Sequence, residues 1–265
     1  MLNHLRFLFI GTQVESLPLS FSNLWNLESL SVNNEGSTLV LLPRIWDLVK
    51  LRLLAMSACS FFDMDADESI LIAEDTKFEK LRLLVKLMLS YSKDTEDIFK
   101  RLPNLQVLHS NTNASGCSAA INRPWYLHFP LSLKKLLLHA FPLTSDSLST
   151  IARLPNLEEL TLYRTIIHGE EWNMGEEDTF ENLKFLELHE VTLAKWEVGE
   201  ESFPVLEKLK LQGCCKLEEI PPSFGDIYAL KIIKLVESPQ LEDSAMKIKE
   251  YAEDMRGVDE LQIII

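Results

Sequence analysis

The stretch Leu206-Glu207-Lys208-Leu209-Lys210-Leu211-Gln212-Gly213-Cys214 decides how this chain is read. It places leucines at its first, fourth and sixth positions and a cysteine at its ninth. In an extended segment successive side chains point to opposite faces, so Leu209 and Leu211 face one way and Lys208, Lys210 and Gln212 the other. Four constrained positions in a leucine-rich chain carry weight only if they recur at a fixed period.

They do recur. Anchored on the second leucine, the pattern returns at Leu8, Leu30, Leu54, Leu87, Leu108, Leu136, Leu160, Leu186, Leu209 and Ile233, with a degenerate last copy at Leu261. The spacings are 22, 24, 33, 21, 28, 24, 26, 23, 24 and 28 residues. Most fall in the roughly 20–29 residue period of leucine-rich repeats, and the gap of 33 predicts an insertion. A single repeat cannot bury its leucines, but stacked repeats can, by placing their strands side by side in a parallel sheet. The expected fold class is therefore α/β, a leucine-rich-repeat solenoid with a curved parallel sheet on the concave face and an irregular or helical convex side.

The segments between strands carry their own punctuation. Leu17-Pro18-Leu19-Ser20-Phe21-Ser22-Asn23-Leu24 is echoed by Ile220-Pro221-Pro222-Ser223-Phe224-Gly225-Asp226-Ile227 and, more loosely, from Leu42 to Leu48. Proline fixes φ where the chain turns onto the convex side. A second phrase, Leu102-Pro103-Asn104-Leu105, Leu154-Pro155-Asn156-Leu157 and Phe203-Pro204-Val205-Leu206, leads into the next strand. We divide the chain into about ten repeats over residues 1–243, with insertions near 60–78 and 110–126, and a helix plus last strand over 244–265 that closes the stack, with Ser244 as helix cap. The chain enters its first repeat within five residues, which predicts an unpaired, apolar leading edge, and either a larger array of which this is the C-terminal part or poorly ordered first repeats. Full amide protection of residues 5–12 in the isolated chain would contradict that expectation.

Composition narrows the function. Hydrophobic residues make up 46% and charged residues 25%, ordinary values for a globular chain with ample core. The net charge of −14 argues against a nucleic-acid partner, which needs clustered Lys and Arg. Residues 1–150 carry 14 basic and 15 acidic side chains, whereas residues 151–265 carry 12 and 25. Cys59, Cys117, Cys214 and Cys215 form no C-x-x-C pair, which suits free thiols in a reducing compartment. The N-terminal residues lack a basic region and a cleavage site, so no signal peptide is read, and no apolar run is long enough to span a membrane. The sequon Asn113-Ala114-Ser115 is read as incidental. No phosphate-loop, dinucleotide-binding or zinc-protease motif is present.

The irregular repeats, the L-P-x-x-[FI]-x-x-L turns, the ninth-position cysteines Cys59 and Cys214 and the closing Asp259-Glu260-Leu261 together resemble the leucine-rich-repeat domain of plant intracellular nucleotide-binding immune receptors. The segments 154–162 and 180–188 are similar to the coiled-coil, late-blight-resistance-like class of these receptors. The resemblance implies a cytoplasmic protein-binding module, with or without peripheral membrane association. It would recognise a pathogen effector or guarded host protein and regulate a nucleotide-binding switch that triggers the hypersensitive response. Coiled-coil and nucleotide-binding domains are missing from this sequence, so no nucleotide-binding residue is carried over. The alternative from another class is the substrate-recognition arm of an F-box ubiquitin ligase; an upstream F-box would favour it.

Side chains between the strand leucines are those a solenoid offers to a partner. In the second half they are Glu159, Thr161 and Tyr163; Phe185, Glu187 and His189; Lys208, Lys210 and Gln212; and Ile232, Lys234 and Val236. Stacking predicts columns Thr161, Glu187, Lys210, Lys234 and Tyr163, His189, Gln212, Val236. The candidate partner-binding residues are Tyr163, Phe185, Glu187, His189, Lys208, Lys210 and Lys234, set against the plainer reading of a sheet face held by its own cross-strand pairs. No catalytic, cofactor-binding or metal-binding residue is assigned, because no serine or cysteine is placed to be activated by the scattered histidines. The runs Glu170-Glu171, Glu176-Glu177-Asp178, Glu200-Glu201 and Glu218-Glu219 are read as solvated return segments, or as an acidic flank for a basic companion domain. Cys59 and Cys214 are read as inward structural thiols, and Cys215 as an exposed neighbour.

Overall fold

The computed structural model describes residues 4–35, 38–41, 43–60, 62–63, 68–69, 77–89, 95–112, 128–175, 178–199, 201–257 and 260–265. Two compact units divide the chain, Met1–Leu133 and Lys134–Ile265.

The first unit is a ladder of parallel strands: β1 (Phe7–Thr12), β2 (Ser29–Asn34), β3 (Leu53–Ser60), β4 (Leu83–Leu89) and β5 (Val107–Thr112). Each pairs with the next. Leu30, Leu54 and Leu108 stand in register and are fully buried. The fourth anchor differs from the sequence reading. Leu84, not Leu87, lies opposite both Leu54 and Leu108, so the gaps become 30 and 24 residues. The cause is a bulge. Lys86 adopts φ 62°, the register shifts between Val85 and Leu87, and Leu84 and Leu87 both point into the core. Leu84-Val85-Lys86-Leu87-Met88-Leu89 therefore mimics the repeat signature one bulge too late.

Short 3₁₀ turns at Leu19–Asn23 and Pro43–Asp47 and helix α1 (Thr95–Lys100) return the chain between strands. Within the predicted 60–78 insertion, Phe62–Asp63 pairs antiparallel with Glu68–Ser69. The rest of that segment between residues 61 and 76, most of the 110–126 segment with Asn113 and Cys117, and Leu42 and Asp259 lie outside the described residues.

The second unit repeats the arrangement with greater regularity. Strands β6 (Lys135–His139), β7 (Glu159–Tyr163), β8 (Phe185–His189), β9 (Lys208–Gln212), β10 (Ile232–Val236) and β11 (Gln262–Ile264) pair in sequence order, all parallel. Leu136, Leu160, Leu186, Leu209 and Ile233 form one buried column, and Leu138, Leu162, Leu188, Leu211 and Leu235 a second. Ile263 rather than Leu261 stands opposite Ile233; Leu261 is buried off the ladder, which is why it imitates an anchor in sequence.

Aromatic rings fill the layer behind the sheet. Phe180 stacks on Phe203 at 5.1 Å, Phe203 meets Phe224 at 5.7 Å, and Trp172 stacks on Trp196 at 5.3 Å. The phrase that leads into each strand thus supplies a buried head residue. Its third position ties repeats together: Asn182 donates its amide to the Pro155 carbonyl at 2.7 Å, as Asn104 does to Glu79 at 3.0 Å in the first unit.

Helix α2 (Ser145–Ala152) is capped by Thr144, whose hydroxyl accepts the Ser147 N–H at 3.2 Å. Helix α3 (Glu242–Arg256) opens two residues before the predicted start. Ser244 is therefore not its cap. The hydroxyl instead donates to the Leu241 carbonyl at 2.9 Å and accepts the Ile220 N–H at 3.1 Å, tying the helix to the preceding repeat. Tyr251 on α3 packs against Gly225, where an added Cβ would lie 2.6 Å from its ring, and its hydroxyl reaches Asp226 at 2.8 Å.

Strands β6 to β10 of the second unit end in the same left-handed step. The eighth signature position has positive φ in every repeat from β6 to β10: Ala140 (58°), Arg164 (51°), Glu190 (52°), Gly213 (59°) and Glu237 (51°). The step aims its N–H at the next strand's last carbonyl, as in Arg164 to His189 at 2.8 Å and Gly213 to Val236 at 2.9 Å. Only Gly213 meets the conformational demand without a Cβ penalty. Replacing the exposed Glu237 by glycine is expected to stabilise the chain by ~0.5–1 kcal/mol, the left-handed penalty of roughly 1–2 kcal/mol less the chain entropy glycine adds to the unfolded state. A urea midpoint that falls instead would contradict this.

The ninth position closes the turn by hydrogen bonds. Cys214 directs its thiol to the Leu188 carbonyl at 3.4 Å, Ser238 donates to Val236 at 3.1 Å and accepts the Cys214 N–H at 3.2 Å, and Thr165 reaches Leu138 at 3.5 Å. Cys59 is buried equivalently, 3.8 Å from the Lys86 carbonyl. Burial pushes the Cys59 thiol up to about 12 and the Cys214 thiol up to about 11. Both stay protonated at neutral pH. Iodoacetamide should then label exposed Cys215 in the native chain and spare Cys59 and Cys214 until denaturation. Native labelling of Cys214, read by peptide mass spectrometry, would contradict the assignment.

Candidate partner-binding face

The open face of the second unit is a grid set by the ladder register. One column runs Lys135, Glu159, Phe185, Lys208, Ile232; the next Leu137, Thr161, Glu187, Lys210, Lys234; the third His139, Tyr163, His189, Gln212, Val236. All seven sequence-derived candidates lie on this one surface and are half-buried.

Their contacts divide the face in two. On one side Tyr163 sits between two imidazoles, 4.9 Å from His139 and 4.4 Å from His189 by ring centroid. Arg164 lies 5.3 Å over the Tyr163 ring and pairs with Glu190 at 2.7 Å, while His189 Nε2 is 3.3 Å from the same carboxylate. The hydrogen bond from Arg164 holds the Glu190 carboxyl below its usual range. Burial, aided by the nearby Arg164 charge, lowers His139 and keeps its imidazole neutral at pH 7. Arg164 and Glu190 were absent from the sequence-derived set because they follow the strand. The signal that finds them is the left-handed eighth position, which swings its side chain beside the third column.

On the other side Lys208 lies 5.5 Å from the Phe185 ring, a cation–π geometry. Lys210 pairs with Glu187 at 2.7 Å with both side chains largely covered. That pair contributes ~0.2–1 kcal/mol as a cross-strand contact.

The acidic runs are not uniformly solvated. Asp178 is buried, accepts the Ser149 hydroxyl and the Gly175 N–H, and pairs with Arg153 at 3.4 Å. It is a structural carboxylate, contrary to the sequence reading. Glu170 and Glu171 pair with Lys216 and Lys195, whereas Glu218 and Glu219 are exposed.

The first unit presents a different open face, unnoticed in sequence. It runs Phe7, Ser29, Leu53, Leu83, Val107 and Phe9, Ser31, Ala55, Val85, His109, with no charged side chain in either column. Phe7 and Phe9 are 68% and 77% exposed.

A family model described as a leucine-rich repeat region matches residues 1–261. The chain belongs to the leucine-rich-repeat family. Its repeats are 32% identical over 293 residues to a putative late blight resistance protein homolog of Solanum demissum, an alignment covering 100% of this chain and 23% of that protein. They are 33% identical over 258 residues to the late blight resistance protein R1-A of the same plant, covering 87% of this chain and 19% of that one. The leucine-rich-repeat chain thus spans about a quarter or less of the length of these relatives. Among solved structures, an internalin of Listeria monocytogenes aligns at 14% identity with a TM-score of 0.48, covering 99% of this chain and 87% of that one. Among the described residues, no helix is long and apolar enough to cross a membrane.

Proposed function

We propose that this chain is the protein-binding leucine-rich-repeat module of an intracellular plant disease-resistance protein. In that role it contacts a pathogen effector or guarded host protein through the open face of its second unit. Through the same face it docks on the rest of its receptor and so regulates a nucleotide-binding switch that triggers the hypersensitive response from the cytoplasm. The chain serves as a binding surface without chemistry of its own.

The observation that carries this reading is the grid itself. Register alone gathers aromatic, imidazole and lysine side chains onto one half-buried surface over a leucine core. Aromatic and charged groups of this kind supply most of the energy of a protein interface once a partner excludes water. The likeness to late blight resistance proteins over the whole chain supports the biological setting.

The test uses R1-A from which the segment matching this chain has been removed. Co-expressed in leaf tissue, the chain is expected to co-precipitate with that protein and to alter the cell death it provokes. A chain that neither associates nor changes the response would overturn the regulatory part of the proposal.

A further inference from the structure

Six lysines of the second unit pair with a carboxylate elsewhere than on β9 and β10: Lys134 with Glu158, Lys135 with Glu159, Lys195 with Glu171, Lys216 with Glu170, Lys231 with Glu207 and Lys249 with Glu253. The open face of β9 and β10 instead gathers three lysines of which one is paired. Lys210 and Lys234 occupy adjacent ladder positions, and Lys208 lies two residues from Lys210 on the same side of β9. Strands lie roughly 4.8 Å apart and alternate residues roughly 6.6 Å, so the three lysines spring from one small area of the sheet. Like charges in adjacent positions destabilise a sheet.

One carboxylate, Glu187, answers these three, and it is committed to Lys210. Neighbouring acids are engaged elsewhere: Glu159 with Lys135, Glu190 with Arg164, Glu207 with Lys231. Lys208 and Lys234 meet no carboxylate among the described residues. Exposed Glu237 follows the end of β10 at the eighth position, and no ion pair joins it to Lys234 among the described residues. Apolar groups frame the cluster, with Phe185 beside Lys208 and Ile232 and Val236 on the flanking strand. The most acidic part of the chain therefore keeps an unneutralised basic spot with apolar borders.

We infer that this spot receives an acidic, partly apolar segment of a partner protein, its carboxylates over Lys208 and Lys234 and its apolar side chains on Phe185, Ile232 and Val236. The inference rests on the reading of this face as a partner-binding surface and adds the chemistry of what it binds. Charge complementarity selects the occupant. A basic segment would be repelled locally, and a neutral one would leave two ammonium groups covered without a counter-charge.

The test is a peptide titration on the full chain. A fluorescein-labelled peptide alternating Glu and Phe is compared with equal-length Gln/Phe and Lys/Phe peptides and with one in which phosphotyrosine replaces Glu. The wild-type chain is expected to prefer the Glu/Phe peptide over the Lys/Phe peptide by at least ~tenfold. Lys208→Gln with Lys234→Gln should erase the preference, and Lys208→Glu with Lys234→Glu should reverse it, each at an unchanged melting temperature. Equal binding of all peptides, a preference for Lys/Phe, or a preference the lysine variants do not alter would overturn the inference. Tighter binding of the phosphotyrosine peptide would overturn the carboxylate-bearing occupant in favour of a phosphorylated one. If the inference fails while association with the segment-deleted R1-A persists, the function stands and only the acidic occupant falls.

Discussion

Replacing Leu209 by alanine is expected to lower the stability of the chain by ~2–5 kcal/mol. Leu209 is fully buried, stands between Leu186 and Ile233 in the ladder, and has fully buried Leu206 and Leu211 on its own repeat. Its removal opens a cavity with walls on both neighbouring repeats, and the strands on either side are held in place by backbone hydrogen bonds that resist collapse. Repeat arrays draw their stability from interfaces between neighbours, so one vacancy weakens two interfaces. Leu8, on the first strand, has a neighbour on one side only and is half-buried, so Leu8→Ala should cost less. Equilibrium urea unfolding decides the matter. A Leu209→Ala loss below about 1 kcal/mol would show that the leucine columns are not the core.

Phe203→Ala should be equally severe, ~3–5 kcal/mol, although Phe203 lies outside every strand. Its ring stacks on Phe180 at 5.1 Å and an 8° interplanar angle, contacts Phe224 at 5.7 Å, and meets Trp196 edge-on at 6.3 Å. Deleting the middle ring removes one contact from each of three aromatic neighbours, and Trp196 is held by the pairing of Lys195–Glu197 with Glu171–Asn173, so the space does not refill cheaply. Tyr228, 78% exposed though its ring lies 5.3 Å from Arg256, serves as control; its truncation should cost under about 1 kcal/mol. Near-ultraviolet circular dichroism should lose the stacked tryptophan signal in the first variant and keep it in the second. An unchanged melting temperature for Phe203→Ala would contradict the packing described.

The periodicity of leucines made the fold readable because buried anchors obey one spacing rule and a parallel ladder leaves little choice of register. The columns on the open face follow from the same rule, so Tyr163 beside His189 and Glu187 beside Lys210 could be inferred from numbering alone. Reading failed where local geometry departs from the period. The bulge at Lys86 made Leu87 look like an anchor, and burial of Leu261 off the ladder did the same at the last strand. Ser244 looks like a helix cap, but the helix starts earlier because Ser244 is needed to satisfy the Ile220 N–H. Asp178 resembles its acidic neighbours in sequence, and only the fold brings Ser149 and Arg153 to it. Arg164 and Glu190 join the face through a backbone conformation that side-chain alternation does not encode. The uncharged face of the first unit carries no charge pattern to mark it in sequence, and its residues are ordinary strand formers.

The central claim, that the open face of the second unit binds a partner while the leucines beneath it hold the fold, separates in one measurement. Tyr163→Ala, Phe185→Ala and Lys210→Ala are introduced together, and both melting temperature and association with the segment-deleted R1-A are recorded. None of the three side chains is part of the buried core, and the one ion pair lost, Lys210 with Glu187, contributes at most about 1 kcal/mol. Melting should stay within a few degrees, while association weakens by at least ~2 kcal/mol, roughly thirtyfold, as expected when interface anchors are truncated. A triple variant that binds as tightly as the native chain, with its fold intact, would contradict the claim.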